Sequence, residues 1–170
     1  MQRVKDGNLQ EMSELFERYH LRMYNFFLKM TWNKDISNDL TQNLFYRIIK
    51  YRNSYKTDYS FKSWIYQMAR NLHLDHYNEE KKSNELFHNS GTYPADISYE
   101  NELYEEEDYL RLEKALMQLT SEQRELLVLS RYQGLKYEEI SAITHQSVPA
   151  IKVAVFRAVR QLRGIYFKQI

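Results

Sequence analysis

Residues 137–164 read YEEISAITHQSVPAIKVAVFRAVRQLRG, and two helical periods meet inside them. The first runs over Tyr137–Ile143 and sets Ile140 and Ile143 on one side. In the second, Val148, Ile151, Val155 and Leu162 recur at steps of three, four and seven, the spacing of one helix face. Thr144-His145-Gln146 separates them as a tight turn. Pro149 falls in the first turn of the second helix, where its missing N–H does no harm. This last helix is expected to begin near Ser147 and to end near Gly164, and it carries Lys152, Arg157, Arg160 and Arg163. Two short helices joined by a tight turn make a helix-turn-helix pattern. In that geometry the second helix enters a DNA major groove, with early residues at base edges and flanking cations on phosphates. The same residues also describe a small three-helix domain with a solvated basic helix.

Upstream, Thr120 with Gln123 three residues later forms a capping-box pattern ahead of Leu126, Leu127 and Leu129, and Gly134 is placed to end that helix. A further helix is expected from Asp108 through Leu110, Leu112, Ala115, Leu116 and Leu119. Residues 83–107 differ in kind. They hold seven acidic side chains, no basic ones, Gly91 and Pro94, the composition of a linker that packs poorly by itself. The predicted organisation is therefore a first domain at 1–82, an acidic linker at 83–107 and a second domain at 108–170.

The first domain is also helical by period. Leu9 to Met30 defines one helix and about Asp35 to Tyr51 a second. A third starts after the N-cap residue Ser60 and sets Phe61, Trp64, Ile65, Met68, Ala69 and Leu72 on one face. Residues 52–60 are polar and aromatic without period and read as a loop. Four Gly and two Pro in 170 residues leave little room for hairpins. The fold class is all-α, in two small helical domains.

Charge and composition bound the function. The chain has a net charge of +1, yet residues 1–82 carry +4, residues 83–123 carry −8 and residues 124–170 carry +5. Such asymmetry points to a charged partner. Zero Cys excludes a disulfide framework, a Cys-ligated zinc finger and a Cys nucleophile. No apolar run approaches the ~18 residues that span a bilayer, so a cytoplasmic protein without membrane insertion is expected. His73 and His76 are three apart on a helix but have no third ligand, and read as surface histidines rather than a metal site. There is no Walker loop and no Gly-rich nucleotide fingerprint, so no enzyme and no cofactor is expected.

Four motifs in order carry a resemblance. Leu119-Thr120-Ser121-Glu122-Gln123-Arg124-Glu125-Leu126-Leu127, then Tyr137-Glu138-Glu139-Ile140-Ser141 with Ile151-Lys152 and Phe156-Arg157-Ala158, resemble region 4 of extracytoplasmic-function (ECF) sigma factors. Asp39-Leu40-Thr41-Gln42-Asn43-Leu44-Phe45, then Phe61-Lys62-Ser63-Trp64-Ile65 with Ala69-Arg70-Asn71-Leu72 and Asp75, resemble region 2. The resemblance covers about 150 residues, and it implies a subunit that binds RNA polymerase core through clamp and flap, recognises a two-part promoter and helps open it. It further implies an anti-sigma factor as partner and a chain that is monomeric when free.

Carried over by position, the resemblance assigns Asp39, Gln42, Asn43 and Phe45 to polymerase binding, with Asn43 where the family usually has Glu. Without it, Asp39, Gln42 and Asn43 are one polar helix face. It assigns Tyr55, Tyr59, Lys62, Arg70, Asn71 and Lys81 to the −10 DNA. Aromatic rings can stack on an unpaired base while cations hold its phosphates, although the same tyrosines also suit a core cap. Trp64 reads as core. Ser147, Ala150, Lys152, Val153, Arg157 and Arg160 fall to the −35 DNA, and Ala150, Val153 and Ala154 stand where Thr, Ser and Arg are frequent. Lys152 is then the clearest base-edge donor, with Arg157 and Arg160 favouring phosphates. His145 replaces the usual Gly of the turn. The acidic linker either occupies a basic channel of the polymerase or serves as an extended tether.

Overall fold

The computed structural model describes residues 1–57, 60–87 and 105–168. These form helices joined by short turns, with no strand among the described residues, as the periodicity predicts. The chain divides into two compact units, Met1–Ala95 and Asp96–Ile170.

Unit 1 is built on α2 (Met12–Thr31), α3 (Lys34–Lys50) and α4 (Phe61–Phe87). Met23, Phe26, Phe27, Leu44, Ile48, Ile65 and Tyr66 are fully buried between them. Asn33 caps α3 by accepting from the Ile36 N–H at 3.0 Å, and the Ser60 hydroxyl accepts from the Ser63 N–H at 3.1 Å to start α4. Trp32 closes α2 in the left-handed conformation with φ of 56°. For a bulky side chain that backbone costs about 1–2 kcal/mol. The cost is met by burial of the indole, with the Lys29 ammonium 5.7 Å from its ring centroid.

Three features depart from the periodic reading. The helix expected from Leu9 opens as a 3₁₀ turn at Leu9–Glu11 before α2, and an additional short α1 (Gln2–Lys5) precedes it, with Gly7 at φ 102° between. Val4 is fully buried, and Lys5 Nζ donates to the Tyr55 carbonyl at 2.8 Å, so α1 is pinned to the segment after α3. That segment opens with a 3₁₀ turn at Arg52–Ser54. Finally, α4 continues past position 82 to Phe87.

Unit 2 begins with α5 (Glu105–Met117), three residues earlier than expected. In α6 (Ser121–Leu127) the Thr120–Gln123 capping box is present in full. The helix then relaxes into a π turn at Val128–Tyr132 and stops at Gly134, φ 62°. Arg124 reaches back to α5 and donates to the carbonyls of Leu116, Met117 and Leu119 at 3.1–3.3 Å, closing its open end. The pair α7 (Tyr137–Thr144) and α8 (Val148–Lys168) follows. Ile140, Ile143, Ile151, Val155 and Ala158 bury between them and α6. His145 is left-handed at φ 60°, the conformation a turn Gly would supply. Gly164 does not end α8, which runs on to Lys168.

Candidate nucleic-acid interface

In unit 1, the end of α3 and the first half of α4 enclose a cleft of about 160 Å³ lined by Arg47, Tyr51, Trp64, Gln67, Met68 and Asn71. Trp64, Gln67 and Asn71 fall at i, i+3 and i+7, one strip of α4. Arg47 is held at the rim by a 3.2 Å ion pair with Asp75. The cleft thus combines aromatic wall, amide groups and one guanidinium, the groups that stack on and hydrogen-bond an unstacked base.

Of the −10 positions assigned from sequence, only Asn71 lines this cleft. Arg70 and Lys81 lie on a neighbouring face of α4. Lys62 is nine residues from Asn71, half a helical turn out of phase, and so faces the other side. Tyr55 is a correction to the stacking assignment. Its ring is 8% exposed and packs edge-on against Trp64 at 5.4 Å and Phe61 at 6.2 Å, which makes it the core cap. Tyr59 lies outside the described residues. Trp64 is half-buried, with one side on Tyr55 and another on the cleft. His73 is buried at 5% exposure, not a surface histidine.

On α3, Asp39, Gln42 and Asn43 are all exposed and share a face. Phe45 is not on it. That ring is 6% exposed and tilts against Phe16 at 4.8 Å, sealing the α2–α3 seam. The exposed aromatic of this face is Tyr46, at 62% exposure. Period alone gave no sign of which ring is covered, because both neighbours suit a helix rim.

In unit 2, α8 presents Ala150, Lys152, Val153, Phe156, Arg157 and Arg160 to solvent. Ser147 caps the helix, its hydroxyl accepting from the Ala150 N–H at 3.4 Å, so that oxygen is used within the fold. Phe156, not among the positions assigned from sequence, is 68% exposed. The other end of α8 meets α5 in an apolar groove of about 410 Å³, lined by Asp108, Tyr109, Leu112, Leu162, Arg163 and Tyr166. Tyr166 donates to Asp108 at 3.1 Å beneath the Arg111 guanidinium. Partial burial, and then the Asp108 hydrogen bond, hold its phenol above the ordinary pKa.

The family profile described as "Sigma-70 region 2" matches residues 15–83, and that described as "Sigma-70, region 4" matches residues 109–162. The chain is 31% identical to "ECF RNA polymerase sigma factor SigM" of Bacillus subtilis, over 91% of this chain and 94% of that one. The chain belongs to the ECF-type sigma-70 family. This sigma factor is also 29% identical to "RNA polymerase sigma factor CarQ" of Myxococcus xanthus, over 97% and 94%. Among solved structures, its fold is similar to that of RpoE from Bartonella quintana in complex with the anti-sigma factor NepR (TM-score 0.75, 22% identity, 92% and 96% covered). It is similar too to CnrH in complex with the cytosolic domain of CnrY (TM-score 0.75, 17% identity, 99% and 95% covered). The region 2 match spans α2 to α4 with the cleft, and the region 4 match lies within unit 2. Sigma factors are not an enzyme class. No helix among the described residues is long and apolar enough to cross a membrane.

Proposed function

We infer that this chain binds RNA polymerase core, directs it to a two-part promoter and assists its opening. The observation that carries the reading is that the matches to regions 2 and 4 each contain a surface suited to nucleic acid. Unit 1 has a cleft of aromatic, amide and guanidinium groups, and unit 2 has an exposed helix bearing Lys152, Arg157 and Arg160.

In this reading the first domain, residues 1–82, docks on the polymerase clamp through the Asp39, Gln42 and Asn43 face of α3, with Tyr46 beside them. The cleft then takes an unpaired −10 base. Asn71 and Gln67 hydrogen-bond its edge, Trp64 and Tyr51 supply the stacking wall, and Arg47 holds the adjacent phosphate. Arg70 and Lys81 follow the backbone along α4. Unit 2 sets α8 into the −35 major groove, with Arg157 and Arg160 on phosphates. The Leu112–Leu162–Tyr166 groove accepts an apolar helix of the polymerase flap. The acidic stretch between α4 and α5 joins the two domains. The protein acts in the cytoplasm without a cofactor, and is held in reserve by an anti-sigma factor, the kind of partner that accompanies both similar solved structures.

Run-off transcription with purified core polymerase over a genomic promoter library tests this reading. Promoter-specific transcripts absent without the protein support it. Absence of transcripts together with absence of core binding overturns it.

A further inference from the structure

The exposed centre of α8 is apolar where a duplex-reading helix is expected to be polar. Pro149, Val153 and Phe156 follow one another at steps of four and three, so they form a single stripe along the first half of the helix. Val153 is 49% and Phe156 68% exposed, and Phe156 is the most exposed large apolar side chain of the described residues. Lys152 stands on one flank of the stripe and Arg157 on the other, both exposed, with Arg160 one turn beyond Phe156.

An apolar stripe fringed by cations fits a polyanion that carries apolar groups at the floor of its groove. The major groove of DNA is such a surface, and its one apolar marker is the 5-methyl group of thymine. Amide and hydroxyl readers would distinguish bases here by hydrogen bonds. Valine and phenylalanine have none to give, but they can bury a methyl. The cationic fringe argues against an apolar protein surface as the occupant, because Lys152 and Arg157 would then lose hydration without an anion to replace it.

We propose that Val153 and Phe156 are specificity-determining residues that read thymine methyl groups in the −35 duplex. The proposal rests on the −35 assignment of α8. Burial of one methyl gives about a four-fold preference for thymine over uracil at the contacted position. Lys152, Arg157 and Arg160 add affinity without this preference.

The test uses holoenzyme assembled from the full chain and core polymerase. Binding is selected from duplexes randomised over the −35 segment, and each dT of the enriched element is then replaced by dU, which removes only the methyl. The expected result is a loss of about four-fold at one or more positions. Val153→Ser or Phe156→Ser should abolish the dT/dU difference. Both side chains are exposed, so the variants should retain the wild-type melting temperature and core affinity. An enriched element without thymine, equal binding of dT and dU throughout, or variants that keep the methyl preference would overturn the proposal. So would a Phe156→Ser variant that lost core affinity instead, since the stripe would then be a protein seat. A wild-type holoenzyme that enriches no element at all overturns the −35 assignment and this inference together. Enrichment without methyl sensitivity overturns only the inference.

Discussion

Asn71 stands on the cleft wall beside an arginine that Asp75 already fixes, so in the proposed reading its amide would meet a base edge at little cost in ordering. Asn71→Ala should lower promoter opening about ten-fold, the loss of one well-placed hydrogen bond in a desolvated site. Core affinity should be unchanged, and a comparison of permanganate footprints with core titrations checks the split. In the same reading, Lys152 is the base-edge residue proposed for duplex DNA. Lys152→Ala should weaken binding to the selected −35 element by about 1–3 kcal/mol while changing affinity for unrelated duplex much less, measured by anisotropy on both duplexes. Motif specificity singles out Asn71 in the sequence. The other cleft-lining residues Arg47, Tyr51 and Gln67 carry no such signal, since a helix period marks a face without telling what covers it. The cover over Tyr55 and Phe45 was hidden for the same reason: each ring fills a seam that only the packed helices reveal.

Helix boundaries yield where a tertiary contact outweighs a local signal. Gly164 reads as a stop, yet Tyr166 beyond it is tied to Asp108 on α5, and that contact carries α8 through. The glycine has an ordinary negative φ and open space around the position a Cβ would take. Gly164→Ala should therefore stabilise unit 2 by about 0.5–1 kcal/mol, visible as a shift in urea midpoint. Arg124 works the other way. Arg124→Ala removes three charge-assisted bonds and opens the carbonyl end of α5, with an expected loss of about 1.5–3 kcal/mol in the same measurement. The caps at Ser60 and Thr120 and the left-handed His145 were readable because each is a local device of two to four residues. The short α1 was not, because Lys5 anchors it to the Tyr55 carbonyl fifty positions away.

Across the whole chain, two helical units and their order followed from period, charge and motif, since each signal spans tens of residues. The net charge of +1 conceals basic stretches on either side of an acidic one. If the carboxylates of 83–107 oppose duplex binding by the free protein, replacing all seven with their amides should raise its low-salt DNA affinity. Raising the salt well above ~0.15 M should erase most of the gain. Equal affinities at low salt would show the acidic segment to be neutral toward DNA. A different consequence comes from how unit 1 is wired. Each of its main helices packs on its neighbour in sequence, α2 on α3 and α3 on α4. Such local wiring folds in microseconds to milliseconds. Translation of the remaining chain takes on the order of 4–16 s. During synthesis, the α3 face proposed to dock on the polymerase is therefore complete while α8 is still untranslated, and a partner that grips only that face can capture the nascent chain before its proposed promoter reader exists.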